Sequence, residues 1–299
     1  MYLCTKLRKN CEGMKRFLTI TVFLTVLLSL AQTTEGRRRV RTRKAVVAKE
    51  VIQKSELKGF APIIFGADSV VMNSPLRTKR EMGMTSGTMI YVCMLPDVKV
   101  PSMLTIGTCH DFAQVFIDDD YVGPIDGSEH PQTLKLPPVH DGQELKILVG
   151  ATGRRNLDDF VGISEPLFLT ADIDGNELTL TMKRWTILTV PDGYDTASKA
   201  LSVIASDSIA QPVAQGMPGY YRFQTVFSRS GNIYLNMDNF GRGQVFVNGN
   251  PIGYFSNAQP SLALHRRYLK RGFNEVVVLD VTGPRQAVLS AQNHPAVGQ

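Results

Sequence analysis

Gln114-Val115-Phe116-Ile117-Asp118, followed by Val122-Gly123, returns 130 positions later as Gln244-Val245-Phe246-Val247-Asn248, followed by Ile252-Gly253. At the same offset Tyr91 meets Tyr221 and Gly142 meets Gly272. Close to it, Gln132-Thr133-Leu134-Lys135-Leu136 faces Pro260-Ser261-Leu262-Ala263-Leu264, and Glu144-Leu145-Lys146-Ile147-Leu148-Val149 faces Asn274-Glu275-Val276-Val277-Val278-Leu279. Self-similarity at one fixed spacing means that a single module occurs twice. Strand periodicity puts Val245 and Val247 on one face and Gln244, Phe246 and Asn248 on the other. Asn248-Gly249 then supplies the positive-φ residues of a tight hairpin turn.

Outward from these stretches, short runs rich in Val, Ile, Phe and Tyr alternate with Gly, Pro, Asn and Asp at roughly ten-residue spacing, the pattern of an all-β sandwich or barrel. The fold class expected is therefore all-β, with two tandem antiparallel β-sandwich domains at residues 61–186 and 187–285. Residues 45–57 and 196–205 are the stretches compatible with helices. Residues 32–60 read as a basic linker arm and 286–299 as a polar tail with no core to join. If the Phe116 and Phe246 rings are enclosed, truncating either to Ala should cost about 3–5 kcal/mol.

A chain of 299 residues that is 43% hydrophobic can bury one large core or two ordinary ones. That excludes a disordered, collagen-like or small disulfide-framed protein. The formal charge of +6 suggests a nucleic-acid partner until it is located. Residues 1–44 hold eleven Lys/Arg and two acids; taking these from 33 and 27 leaves 22 basic and 25 acidic residues from Ala45 onward, a net of −3. No nucleic-acid partner is expected, because such a binder carries its positive charge on the folded surface.

Lys15-Arg16 precedes fourteen uncharged residues, Phe17 to Leu30, and Ser29-Leu30-Ala31 closes the run with small residues. This is a cleavable signal peptide over residues 1–31, with Met14 the better start, and it predicts a secreted or periplasmic protein whose contact with membrane is confined to the leader. The apolar run is shorter than the ~20 residues of a membrane span. Beyond the leader only Cys93 and Cys109 remain, and the sequence leaves a disulfide and two buried thiols both open.

Chemistry-bearing constellations are sparse. Retaining glycoside hydrolysis needs two carboxylates about 5 Å apart. Asn274-Glu275 has the look of an acid/base pair, but its four following apolar residues make it a strand opening. Asp118-Asp119-Asp120 occupies the turn that Asn248-Gly249-Asn250 fills in the other copy. Asp172-Ile173-Asp174-Gly175-Asn176 opens like a calcium loop but has Lys183 where the closing acid belongs. The five histidines show no metal spacing, and Ser230-Gly231 lacks the leading glycine of a nucleophile elbow. No catalytic residue, metal site or cofactor is expected. The carbohydrate-binding candidates are Phe240, Arg242, Asn248 and Tyr254, because sugar sites on sandwiches combine an aromatic face with Arg and Asn hydrogen bonds.

His110-Asp111-Phe112-Ala113-Gln114-Val115-Phe116-Ile117-Asp118, then Leu145 to Val149 and Gly153-Arg154-Arg155-Asn156, resembles the first accessory β-sandwich of the family 35 glycoside hydrolases, the β-galactosidases. Gly219-Tyr220-Tyr221-Arg222, Asp238 to Gly249 and Gly272 to Leu279 resemble the second, and Trp185 stands where a Trp commonly ends the first. The resemblance covers residues 57–285. It implies jelly-roll domains of galactose-binding-like fold, which in that family follow a catalytic (β/α)8 barrel. Residues 32–57 are too few for a barrel of about 250 residues, and the family's catalytic glutamates lie on the barrel. The chain departs from the family at Phe240 and Phe246, where Trp is favoured, at Tyr254, where Arg is favoured, and at Val92, where Arg usually follows the tyrosine. The expectation is a non-catalytic accessory region that docks a galactose-containing glycan or a catalytic barrel subunit. The alternatives are a β-galactosidase split or truncated into pieces, and a structural cell-envelope module that uses the Arg37–Lys44 arm.

Overall fold

The computed structural model describes residues 49–84, 86–109, 112–125, 132–150, 164–171, 177–179, 184–203, 217–228 and 231–296. The expected leader and the acidic turn at 172–176 lie outside them, as do His110, Arg154, Arg155 and Ser230. The described chain is all-β, with strands β1 (Ile52–Pro62), β2 (Ser69–Ser74), β3 (Thr88–Met94), β4 (Ser102–Thr108), β5 (Phe112–Ile117), β6 (Asp120–Ile125), β7 (Gln132–Leu136), β8 (Glu144–Gly150) and β9 (Ser164–Ala171). There follow β10 (Glu177–Thr179), β11 (Trp185–Val190), helix α1 (Tyr194–Val203), β12 (Gly219–Phe227), β13 (Tyr234–Asn236), β14 (Gly243–Val247), β15 (Asn250–Phe255), β16 (Ser261–Ala263), β17 (Phe273–Asp280) and β18 (Ser290–Gln292).

Four antiparallel sheets form two sandwiches. In the first, a six-stranded sheet of order β2-β11-β3-β8-β5-β6 is paired with a four-stranded sheet β10-β9-β4-β7. In the second, a five-stranded sheet β1-β12-β17-β14-β15 is paired with a three-stranded sheet β16-β13-β18. The repeat read from sequence is physical. The row Tyr91–Ile147–Val115 across β3, β8 and β5 has its counterpart in Tyr221–Val278–Val245 across β12, β17 and β14. Both hairpins carry a bulge at the same place, between Val115 and Phe116 and between Val245 and Phe246. Each bulge is followed by a turn that opens on a positive-φ residue, Asp118 at 53° and Asn248 at 51°.

Alternation builds three cores. Tyr91, Val115, Ile147 and Trp185 fill the first sandwich with Leu104, Ile106 and Leu136 of its smaller sheet. Tyr221, Val245, Val247 and Val278 fill the second with Leu235, Leu262 and Ala291. The outward face of each large sheet is also covered. Ile90, Leu148 and Leu188 pack with Tyr220, Phe246, Val277 and Leu279, and Ala197, Ala200 and Leu201 of α1 join them. Gln114 Nε2 donates to the Thr282 carbonyl at 2.7 Å across this junction. Burial on both faces explains why β17 reads Val-Val-Val-Leu without alternation. Phe246 accordingly faces away from its own sandwich core, as the strand period requires.

The structure corrects three boundaries. The arm ascribed to 32–60 ends before Ile52, and the helix considered at 45–57 is a strand over its described portion from Ile52. β1 adds to the edge of the second sandwich, pairing Ile52 with Phe227 and Pro62 with Gly219. Its Lys- and Glu-rich outer face is suited to an exposed edge. The junction at 186/187 falls inside β11, which runs to Val190 in the first sandwich. The tail at 286–299 does join a core: β18 pairs with β13, and Leu289 and Ala291 are buried. Helix α1 lies two residues earlier than the 196–205 reading. Cys93 and Cys109 are buried in the first core.

Candidate functional site

The four sequence candidates do not form one face. The Phe240 ring is enclosed in the second core, edge-on to Tyr221, Phe223 and Phe255 with centroids 6.2 Å away in each case. Arg242 lies over the Phe112 ring of the first sandwich, 5.2 Å from its centroid. The Tyr254 hydroxyl donates to Asp192 Oδ2 at 3.2 Å, in the segment joining β11 to α1. Desolvation and the Asp192 charge push its phenol up to about 12.

Asn248 pins the turn that follows β14. Its Nδ2 donates to the Tyr268 carbonyl at 2.7 Å and to Asn274 Oδ1 at 2.9 Å, while its Oδ1 accepts from the Glu275 N–H at 3.1 Å. Asn274, nearly fully buried, also accepts from the Lys270 N–H at 2.7 Å. These bonds fix residues 270–275 against the hairpin.

That anchored segment forms one wall of a cleft of about 450 Å³. Its lining is Lys58 from β1, Arg222, Phe223 and Gln224 from β12, Asn248, and Lys270, Phe273, Asn274 and Glu275. Cross-strand register places Gln224 directly opposite Glu275 and Arg222 opposite Gly59. A side chain at Gly59 would meet Arg222 Nε at 3.2 Å and Nη2 at 3.3 Å, so the glycine leaves the guanidinium its room. Phe273 is 45% exposed, with Lys54 Nζ 5.3 Å from its ring centroid.

Charges around the cleft are partly spent on one another. Glu56 is bridged by Lys54 at 2.7 Å and by Lys58 at 2.5 Å, and hydrogen bonds from these ammonium groups hold its carboxyl down at about 2. The Tyr194 hydroxyl donates to Glu275 Oε1 at 2.5 Å, a bond that pushes the phenol up to about 12. Arg222, half-buried, makes no hydrogen bond or ion pair among the described residues.

The lining holds a single carboxylate, Glu275, and it is bonded to a phenol. The two facing carboxylates of a glycosidase are not assembled there. Among the described residues no three His, Cys, Asp or Glu side chains gather into a metal site, and no helix is long and apolar enough to cross a membrane. The cleft can donate hydrogen bonds generously, accept a few, and offer one aromatic surface. Of the sequence candidates only Asn248 reaches it. Arg222, Gln224, Lys58, Lys270 and Phe273 were missed. The available signal was Arg222 and Gln224 at i and i+2 on a strand whose other face is aromatic.

Residues 75–189 match the family described as "Beta-galactosidase, first all-beta domain", so the resemblance read from sequence holds over that stretch. Beta-galactosidase-1-like protein 3 of Mus musculus is 29% identical over 178 residues, which are 57% of this chain and 26% of that protein. Beta-galactosidase 1 of Dictyostelium discoideum is 22% identical over 219 residues, 67% of this chain and 31% of that protein. The chain thus spans about a quarter to a third of the length of these relatives. Among solved structures, the Pleurotus ostreatus lectin in its apo form covers 84% of both chains at 12% identity, with a TM-score of 0.28.

Proposed function

We propose that this chain is the non-catalytic accessory region of a β-galactosidase-like protein and that it docks a glycan in the cleft between β1, β12 and β17. One observation carries the reading: an aromatic surface, Phe273, shares a walled cleft with the uncommitted polar groups of Arg222 and Gln224, and no carboxylate pair stands beside them. Stacking of a pyranose on the ring, with hydrogen bonds from the strand side chains to its hydroxyls, is the chemistry that such a set supports. Titration of the full chain with galactosides tests it. Phe273→Ala and Gln224→Ala should each weaken binding by about tenfold, near 1.4 kcal/mol, with the thermal midpoint unchanged, and a chromogenic β-galactoside should not be turned over. Turnover abolished by Glu275→Gln would refute the non-catalytic reading. Secretion through the leader over 1–31 belongs to the same proposal, and the mass of the exported chain would report the cleavage.

Docking of a catalytic barrel subunit is a second reading, favoured by edge strand β2, where Val70 and Met72 are 54% and 70% exposed. Exposed apolar side chains on an unpaired strand edge are suited to a contact with another chain. Co-purification with a β-galactosidase barrel, lost in Met72→Glu, is the expected result.

A further inference from the structure

We infer that the ligand of this cleft is an anionic saccharide, with a carboxylate or sulfate ester seated on Arg222; the inference rests on the glycan-docking reading and narrows it. The first argument is the guanidinium itself. It carries five N–H donors in a plane and no acceptor, and among the described residues nothing accepts from it. Half-buried N–H donors left without a direct acceptor are costly. A planar carboxylate or a sulfate satisfies it through two parallel bonds, the geometry in which arginine differs from lysine.

The second argument is donor balance. Lys58, Lys270 and Arg222 only donate, while the lining's carboxylate, Glu275, already accepts from Tyr194. A neutral sugar presents hydroxyls that each need an acceptor as well as a donor, and few side-chain acceptors are left to them, chiefly Gln224 and the second oxygen of Glu275. An acceptor-rich ligand complements this set and a neutral one does so poorly.

The third is charge. Four cations, Lys54, Lys58, Arg222 and Lys270, surround the cleft against two carboxylates, Glu56 and Glu275. This local excess of two positive charges sits on a chain that is net −3 from Ala45 onward. It is therefore not a by-product of overall basicity. The seat is also shaped, because Gly59 leaves open the volume in which the guanidinium lies. The cleft's 450 Å³ falls in the range of small-molecule sites, roughly 300–1,000 Å³.

The test is calorimetric titration of the full chain with three probes, trigalacturonate, a 6-sulfated galactoside and lactose, and with a poly-glutamate peptide as control. Trigalacturonate, the sulfated galactoside or both should bind at least about tenfold tighter than lactose at low salt, and the gap should close by about 0.5 M salt. Whichever anion binds identifies the source of the charge. Arg222→Gln should cut the gap to about threefold or less by weakening the anions far more than lactose, with the thermal midpoint unchanged. Gly59→Val, which alters no charge, should do the same by displacing the guanidinium. Equal affinity for lactose and both anions overturns the anionic assignment and leaves glycan docking standing. Binding of none of the saccharides removes both readings. Poly-glutamate binding as tightly as the saccharides would show bare charge attraction and also overturn the inference, as would an Arg222→Gln chain that keeps the anion preference.

Discussion

The two sandwiches use the same strand positions but draw one strand from opposite ends of the module. Beside β3 in the first sandwich runs β11, which follows its module in sequence; beside β12 in the second runs β1, the first of the described strands. The smaller sheets correspond as well, since β9-β4-β7 matches β18-β13-β16. The first sandwich is thus inserted between β1 and the rest of the second. The outer sandwich is closed by contact between the segment before β1 and β18: Val51 N–H donates to the Ala291 carbonyl at 2.8 Å, and Glu50 Oε1 accepts from the Ala291 N–H at 3.0 Å. A duplicated unit can therefore retain its core rows while its edge is supplied from another part of the chain. In this protein that borrowed edge also supplies Lys58 and Gly59 to the cleft.

The largest effect should come from removing the borrowed edge. Deleting residues 49–62 strips β12 of its outer partner and takes Val51, Phe60 and Ala61 from two cores. The second sandwich should unfold and residues 217–296 become protease-sensitive, while the first sandwich stays resistant to cleavage. A single unshifted melting transition would mean that β1 is dispensable and that the insertion has no energetic meaning.

Next in size is the contrast between Phe116 and Phe246, equivalent in the repeat and packed against the same junction core but to different depths. Phe246 is 1% exposed in the core shared by the two sandwiches. Phe116 is half-buried, with Tyr121 as its ring neighbour at 5.5 Å. Phe246→Ala should cost about 3–5 kcal/mol and Phe116→Ala about 1–2 kcal/mol, read from denaturant midpoints. Equal costs would show that depth in the junction core does not set the loss.

Sequence pattern exposed what recurs and what is local. The paired hairpins, the Asn248-Gly249 turn and the outward aim of Phe246 are written in neighbouring residues at a period of two. β1 was hidden because register shifts between Ile52 and Lys54 and between Leu57 and Gly59 break its alternation, and because its partner lies about 170 residues away. β18 is three residues long and has meaning only against β13. The cleft was illegible for the same reason: Lys58, Arg222 and Glu275 are brought together by strand order, which no local window contains. Phe240 misled because an aromatic residue in a glycine-rich loop reads alike whether it caps a core or meets a ligand.

The smallest and sharpest contrast concerns the two positive-φ turns. Asp118 Oδ1 accepts from the Glu144 N–H at 2.9 Å and Oδ2 from Gln143 Nε2 at 2.8 Å, so both oxygens accept. Asn248 accepts through Oδ1 but donates twice through Nδ2. Exchanging the residues should therefore be asymmetric. Asn248→Asp sets a carboxylate oxygen against the Tyr268 carbonyl and Asn274 Oδ1 and should cost about 1–3 kcal/mol, with partial recovery in acid as the new carboxyl regains a proton to donate. Asp118→Asn keeps the turn and the bond from the Glu144 N–H and loses one acceptor at a half-buried site, so its midpoint should move less than that of Asn248→Asp. The hydrogen bond from Glu144 holds the Asp118 carboxyl below its ordinary value. Its contribution is accordingly complete above the unfolded carboxyl's range and is lost as pH falls through the lowered folded value. The small difference between wild type and Asp118→Asn should vanish over that acid interval. If the two exchanges proved equal, or if the Asp118→Asn difference grew on acidification, the turns would not be held by the bonds assigned to them.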